Sequence, residues 1–438
     1  MFVCLLAPVA TSGLTYSPIS DASANTTATA QNVTFVSAQG RETGGGAGIY
    51  AIDTDTKEVI WSHTRYAKKY FDVDPIGNDT VLFAVRAAES AGDTESYPWR
   101  AIVVNWRTGE EIARFSVPPD THDVDFLGNG SYIVADKARQ GGTERQWLAE
   151  SKRRGWIDED RERLRHRIYV YNRTRNAVTW EYNFSDHFPE TAGDGIDADF
   201  TYLNDVDVVA NGSAILASPR EFDRVLLINR TTKETEWALG EEDDHDFLYE
   251  QHNPAVLSMN PPTVLVADSE NDRVVEYRKD GEGWTRTEYH GELNWPRDAD
   301  RLPNGNTLIA DSGGDRVLEV TPRKRVVWEM DLNQNLYDVE RLRYGDEAQG
   351  PPIHTLVDPD SLDRVEASVS PIAQVSEAFE EYYFLSGWIF PPWMTRLNFV
   401  LSHAALLLAV WGGAASGSSD DEGEIGISDD WRARPTDA

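Results

Sequence analysis

The sequence predicts an all-β fold, a six-bladed β-propeller, and three observations carry that prediction. Segments 123–136, 205–218 and 298–311 align without gaps, each running from Asp-x-Asp through Asn-Gly into a β-rich stretch that ends in Ala-Asp or Ala-Ser. A fourth copy, 72–85, differs mainly at the turn glycine; a fifth runs from His252 to Asp268 with a longer turn; a sixth begins at Asp338 and stops after Leu342. Asn-Gly between two short apolar runs is the strongest local hairpin signal. Four antiparallel strands recurring at roughly 40–50 residues mark a propeller blade. The third observation is complementarity: the truncated sixth unit lacks three strands, and residues 33–36, 48–52 and 58–61 supply three. One strand from the end pairing with three from the beginning would close the ring and remove its open sheet edges.

Taken in order, residues 1–32 are an apolar N-terminus followed by a Ser/Thr/Ala/Asn-rich linker. The apolar part is too short to span a bilayer and lacks a basic flank; it reads as the remnant of a signal or anchor, or equally as a frayed tail. The propeller occupies 33–345. Within a unit the strands run A to D from the channel outward, with C strands such as 273–277 and 316–320 and D strands carrying Trp180, Trp237, Trp284 and Trp328. The spacing from 123 to 205 is too long for one blade, and the excess, 137–167, is charged, Pro-free and helix-compatible. Residues 346–383 read as a linker; a seventh blade over 350–383 would need a strand pattern that is poor there.

Residues 384–415 read as a membrane anchor. From Leu397 to Ala415 there is no Asp, Glu, Lys or Arg, and a helix of that length spans about 28 Å, close to the hydrocarbon thickness. Trp388 and Trp393 precede it as an interfacial belt would; His403 and Asn398 favour the alternative, an amphipathic helix packed on the domain. An acidic tail, 416–438, follows. Eight Asn-x-Ser/Thr sequons suit an exported domain, so the propeller is expected on the extracytoplasmic side.

Composition narrows the function. With 41 basic and 74 acidic residues the net charge is −33, and only 8 of the basic residues are Lys. Clustered cations for a nucleic-acid duplex are missing. Such a balance suits very high salt, where the Debye length falls to about 3 Å and self-repulsion is screened. One cysteine, Cys4, excludes internal disulfides, zinc-finger modules and thiol redox pairs. The repeated Asp-x-Asp lacks the full calcium-loop pattern, so those acids read as turn and inter-blade hydrogen-bonding groups; neither a metal nor a cofactor is expected.

Blade geometry locates the chemistry. Loops entering strand A and loops joining B to C share one face, at the mouth of the central channel. His122 precedes the blade 2 repeat, His252 holds the same place in blade 4, and Arg297 holds it in blade 5. Blade 3 brings Tyr202 and Asn204, and Arg220 follows its strand B. Two imidazoles, two guanidiniums, an amide and a phenol are the groups needed to grip and transfer a tetrahedral oxyanion. Histidines capping strand ends by repeat inheritance would produce the same spacing. The 137–167 insertion is a B-to-C connection, so it is expected to leave at the mouth and form a basic helical lid there; a solvated surface insertion is the alternative.

At these residues the chain resembles the arylsulfate sulfotransferases (arylsulfotransferases), of a haloarchaeal, membrane-anchored type. The matching motifs are His122-Asp123 before an Asn-Gly strand, Asp199 to Asn204, Ser218 to Arg220, and Gln251-His252-Asn253. The resemblance implies a six-bladed propeller that moves a sulfuryl group from an aryl sulfate to a phenol without a nucleotide donor. It implies His252 as the nucleophile, with His122, Asn204 and Arg220 on the sulfuryl oxygens; Tyr202 and Arg297 complete the expected substrate site. Tyr202 stands where the family has His, and a phenol with a pKa of about 10 carries no positive charge. Losing a charge-assisted donor there would remove roughly 1.5–3 kcal/mol. The rival expectation is a non-catalytic cell-surface propeller that binds a ligand or protein at the same mouth.

Overall fold

A computed structural model describes residues 32–40, 46–87, 99–137, 149, 152–153, 166–193, 200–346, 350–357 and 398–405. The protein is a six-bladed β-propeller, six sheets of four antiparallel strands each. Blades 1 to 5 begin at their channel strands, Ala67–Gly77, Val124–Gly128, Leu203–Val209, His252–Met259 and Pro296–Arg301. The sixth sheet takes its channel strand, Leu336–Arg341, from the end of the repeat region and pairs it antiparallel with Val33–Ala38, followed by Gly48–Asp53 and Val59–His63.

Period-two alternation explains the packing. In blade 4, Val264 and Val266 face blade 3 while Leu265 between them faces blade 5. Both faces of a strand are buried, so the strands read as continuous apolar runs flanked by turns. The core is divided into six clusters, one between each pair of neighbouring blades, including blades 6 and 1. Indole N–H groups tie the outer strands across these seams: Trp180 to Arg230 O (2.9 Å), Trp284 to Ala238 O (2.9 Å) and Trp328 to Thr54 O (2.8 Å). The Asn129-Gly130 turn has φ of 51° and 70°, the left-handed pair that a tight hairpin needs and that Asn and Gly adopt most readily.

The first acid of the repeat accepts a backbone N–H from the next blade: Asp123 from Val206, Asp298 from Val339 (3.1 Å) and Asp338 from Val73 (2.9 Å). That is the inter-blade role expected of these residues.

Residues 350–357 carry no strand. Their turn, Ile353–Thr355, docks on blades 4 and 5, with Ile353 N donating to Glu276 Oε2 (2.7 Å) and Arg301 Nη1 to Pro351 O (2.9 Å). The rest of the 346–383 linker is mostly outside the described residues, as are 1–31 and the acidic tail. Of the insertion, residues 138–165 are undescribed apart from 149 and 152–153, so the expected lid lies outside the described residues.

A second unit includes residues 398–405. Its described part is a helix over 398–405 in which Ser402 Oγ donates to Asn398 O (2.7 Å) and His403 Nδ1 to Phe399 O (2.9 Å). Among the described residues no helix is long and apolar enough to cross a membrane; the remainder of the expected anchor, 384–397 and 406–415, lies outside them.

Candidate functional site

Six residues, one immediately before the first acid (or Asn253) of each channel strand, ring the mouth: Phe71, His122, Asn204, His252, Arg297 and Tyr337, all buried. In five blades the next residue (Asp72, Asp205, Asn253, Asp298 and Asp338) lines the channel cavity too, although consecutive strand residues normally face opposite ways. Bulges resolve the conflict. Leu203 pairs with Pro219 but Asp205 with Ser218, so Asn204 is an extra residue; Arg297 is extra in the same way between Pro296 and Asp298. A bulge re-aims one side chain without ending the ladder. Five mouth residues other than glycine also hold left-handed φ: Asp120 (60°), Tyr202 (40°), Glu250 (47°), Asn253 (30°) and Trp295 (50°). Such strain concentrates at functional sites.

His252 is 1% exposed. Its Nδ1 lies 2.8 Å from Ser269 Oγ, and that hydroxyl gives its one hydrogen to Pro296 O at 2.7 Å. Ser269 must therefore accept from the ring, which puts the proton on Nδ1 and leaves the Nε2 lone pair free; Nε2 meets no hydrogen-bond partner. Burial, and then the charges of Arg297 and Arg220, hold this histidine well below the usual imidazole range, so it is neutral near pH 7.

His122 is arranged the opposite way. Lys137 Nζ, paired with Asp120 Oδ2 (2.8 Å), donates to His122 Nε2 (3.1 Å). The ring proton is then on Nδ1, a buried donor without a partner. Burial and Lys137 keep this imidazole neutral as well. Phe71 stacks on it at 4.3 Å.

Arg297 is 5% exposed; Nη1 donates to Gln39 Oε1 (3.0 Å), Nε has no partner, and no carboxylate pairs with it among the described residues. Burial brings it down to about 10. Its guanidinium stacks on Trp295 (3.9 Å) and lies 5.1 Å from the Tyr337 ring centroid. Tyr337 is the hub, since His122 (5.3 Å) and His252 (6.3 Å) contact the same ring edge-on.

Arg220 pairs through Nη2 with Glu221 (2.8 Å) and Glu250 (3.0 Å), and its Nε is buried and unpartnered. Glu250 is pushed up to about 7, by burial first. Tyr202 has Lys137 Nζ 3.2 Å and Arg220 Cζ 4.0 Å from its ring centroid. Lys137 pulls its hydroxyl below the ordinary phenol value. The positive charge that a phenol lacks is thus present beside it. Asn204 Nδ2 donates to Gln251 O (2.8 Å), which commits its amide to the backbone leading into His252.

All six residues singled out in the sequence meet at this mouth. The sequence reading passed over Lys137, Ser269, Glu250, Phe71 and Tyr337. The repeat alignment carries a signal for four of them: Phe71 and Tyr337 hold the ring position of His122, and Lys137 and Ser269 both follow the terminal Ala-Asp of strand B. Glu250 carries none.

Fold and mouth define a six-bladed β-propeller with a buried site of two neutral imidazoles and three cations. No family profile matches the chain, and no curated protein matches it. Among solved structures it is similar to a protein of unknown function from Bacteroides caccae (14% identity, 70% of this chain and 97% of that one, TM-score 0.45). It is likewise similar to the periplasmic gluconolactonase of Pseudomonas aeruginosa (11%, 70% and 98%, TM-score 0.45). A third similar structure is virginiamycin B lyase from Staphylococcus aureus (11%, 60% and 69%, TM-score 0.36).

Proposed function

We propose that this protein is a nucleotide-independent aryl sulfotransferase, with His252 as the nucleophile. One observation carries the reading. Among the described residues, four buried nitrogens at the mouth lack partners, and they divide by chemistry into one lone pair (His252 Nε2) and three donors (His122 Nδ1, Arg220 Nε, Arg297 Nε). Burying unpaired N–H groups costs about 1–3 kcal/mol each, so their accumulation marks a place for a ligand. A sulfuryl group offers three oxygens and one electrophilic sulfur, which matches the set.

In the first half-reaction His252 Nε2 attacks sulfur, the N–S bond forms, and the aryl S–O bond breaks with its electron pair leaving on the phenolate oxygen. The Lys137–Tyr202 pair is the proton source for that oxygen. The resulting imidazolium keeps its Nδ1–H on Ser269. In the second half-reaction an acceptor phenol oxygen attacks sulfur, loses its proton to the same pair, and the N–S electrons return to Nε2. Preorganised donors stabilise charge on the transferring oxygens without reorganisation. The C-terminal segment is read as a membrane anchor and the propeller as extracytoplasmic, in keeping with the charge-free run 397–415 and the sequons.

The test is incubation with 4-nitrophenyl sulfate and phenol in molar KCl. Expected are release of 4-nitrophenol, a sulfuryl adduct on the peptide containing His252, and loss of both in His252→Ala. Turnover retained by His252→Ala removes the nucleophile assignment. Tight sulfate-ester binding by the native protein without turnover or adduct would favour the ligand-binding propeller.

A further inference from the structure

Below the mouth the channel wall changes character. Repeat acids line it, among them Asp72, Asp205, Asp298, Asp300, Asp338 and Glu340, and blade 4 alone replaces both acids, with Asn253 and Ala255. We propose that this channel holds a structural divalent cation of the calcium type, liganded by Asp298, Asp338 and Glu340 with the Asn253 amide oxygen.

Three features lead there. One carboxylate oxygen from each of Asp298, Asp338 and Glu340 lies within 4.8 Å of the other two, and all three residues are buried. Magnesium demands near-ideal octahedral geometry and keeps several waters, so an all-protein set of carboxylate and amide oxygens suits calcium better. These residues border, together with Asn253, one small cavity.

The second feature is unmet valence. Asp298 and Asp338 each spend one oxygen on a backbone N–H of the next blade. Glu340, only 4% exposed, has an Oε2 that no donor reaches, and Asn253 Oδ1 is likewise unpartnered. No lysine or arginine forms an ion pair with any of the three acids among the described residues. Asp72, Asp205, Asp300 and Asp346 line the same cavity, and carboxylates gathered at this density need a cation or protons.

The third feature is donor type. Oxygen-only donors select hard cations over zinc or copper. With an amide oxygen as fourth ligand and water filling the remaining positions, the six to eight ligands of calcium are reached. The ion would fasten blades 4, 5 and 6 to one another at their channel strands. This assignment does not depend on the sulfuryl chemistry of the mouth.

The experiment uses the full chain in molar KCl at pH 7.5. After exhaustive dialysis, elemental analysis should find about one Ca²⁺ per chain. Chelation with EGTA should lower the melting temperature, micromolar Ca²⁺ should restore it, and the same concentration of Mg²⁺ should not. Glu340→Gln, which keeps the shape and removes one charge, should weaken Ca²⁺ binding about tenfold or more, since ligand charge sets affinity in calcium sites. Terbium luminescence on the folded variant reads this directly, whatever its stability. An EGTA-treated protein with an unchanged melting temperature and no bound metal overturns the proposal. So does a Glu340→Gln variant that is more stable than the native chain both with and without Ca²⁺, because the acids would then be held by protons.

Discussion

Arg220 is held between an attraction it must keep and one it must lose. Of its two carboxylate partners, Glu250 is pushed up to about 7, so it changes charge near neutrality. Below that pH Glu250 is neutral and Arg220 has more positive potential for an incoming anion; above it Glu250 is ionised and competes. His122 and His252 stay neutral across the same interval, because burial holds both well below the usual range. Sulfate or aryl sulfate affinity, measured by calorimetry, should therefore rise as pH falls from 8 to 6. The upper bound is about tenfold, the ratio of protonated Glu250 populations on either side of a pKa near 7. Glu250→Gln should flatten the profile at its high-affinity limit. A profile that rises with pH, or is unchanged in Glu250→Gln, contradicts this role.

At the scale of the strand, three blades do two jobs at consecutive positions: His122, Arg297 and Tyr337 lie at the mouth, and the next residue, Asp123, Asp298 or Asp338, fastens the neighbouring blade. Asp123 shows the cost of this economy. Its carboxylate accepts the buried Val206 N–H, yet burial pushes its pKa up to about 7. A carboxyl whose pKa is raised on folding contributes stability that is complete at acid pH and lost as pH rises through the folded value. Asp123→Ala removes the acceptor and should destabilise by about 1–3 kcal/mol, the cost of an unsatisfied buried donor. Asp123→Asn keeps an acceptor oxygen and cannot ionise, so its melting temperature should equal or exceed that of the native chain at pH 8. Equal loss in both variants would mean that the charge, not the acceptor, is what the seam requires.

For the whole molecule, charge sets the conditions under which six well-packed seams hold. The chain carries −33, and part of that charge is concentrated in the channel acids. Screening length grows from about 3 Å at molar salt to about 10 Å at 0.1 M, so repulsion that is short-ranged in one reaches across blades in the other. The melting temperature should fall steadily as KCl is lowered from molar to tens of millimolar, with saturating Ca²⁺ present throughout so that the two effects stay separate. A curve flat with salt would remove the high-salt reading of the composition.

The sequence by itself determined the propeller, because a repeat that cannot bury both faces of its sheet alone must stack on copies of itself. It also determined which side chains share a face: His122, Asn204, His252 and Arg297 fall at one repeat position, and position in a blade is position on the ring. What only the tertiary structure decided are relations between blades and within bulges. The repeat does not show that Ser269 sets the tautomer of His252, nor that Lys137, in sequence merely the first residue of a basic insertion, stands against Tyr202 and supplies the charge that a phenol lacks. It read Asp-x-Asp as seam residues, which is true of the first acid. The convergence of Asp298, Asp338 and Glu340 on one cavity depends on the inward turn that a bulge gives to consecutive residues, and local spacing does not encode where a channel narrows.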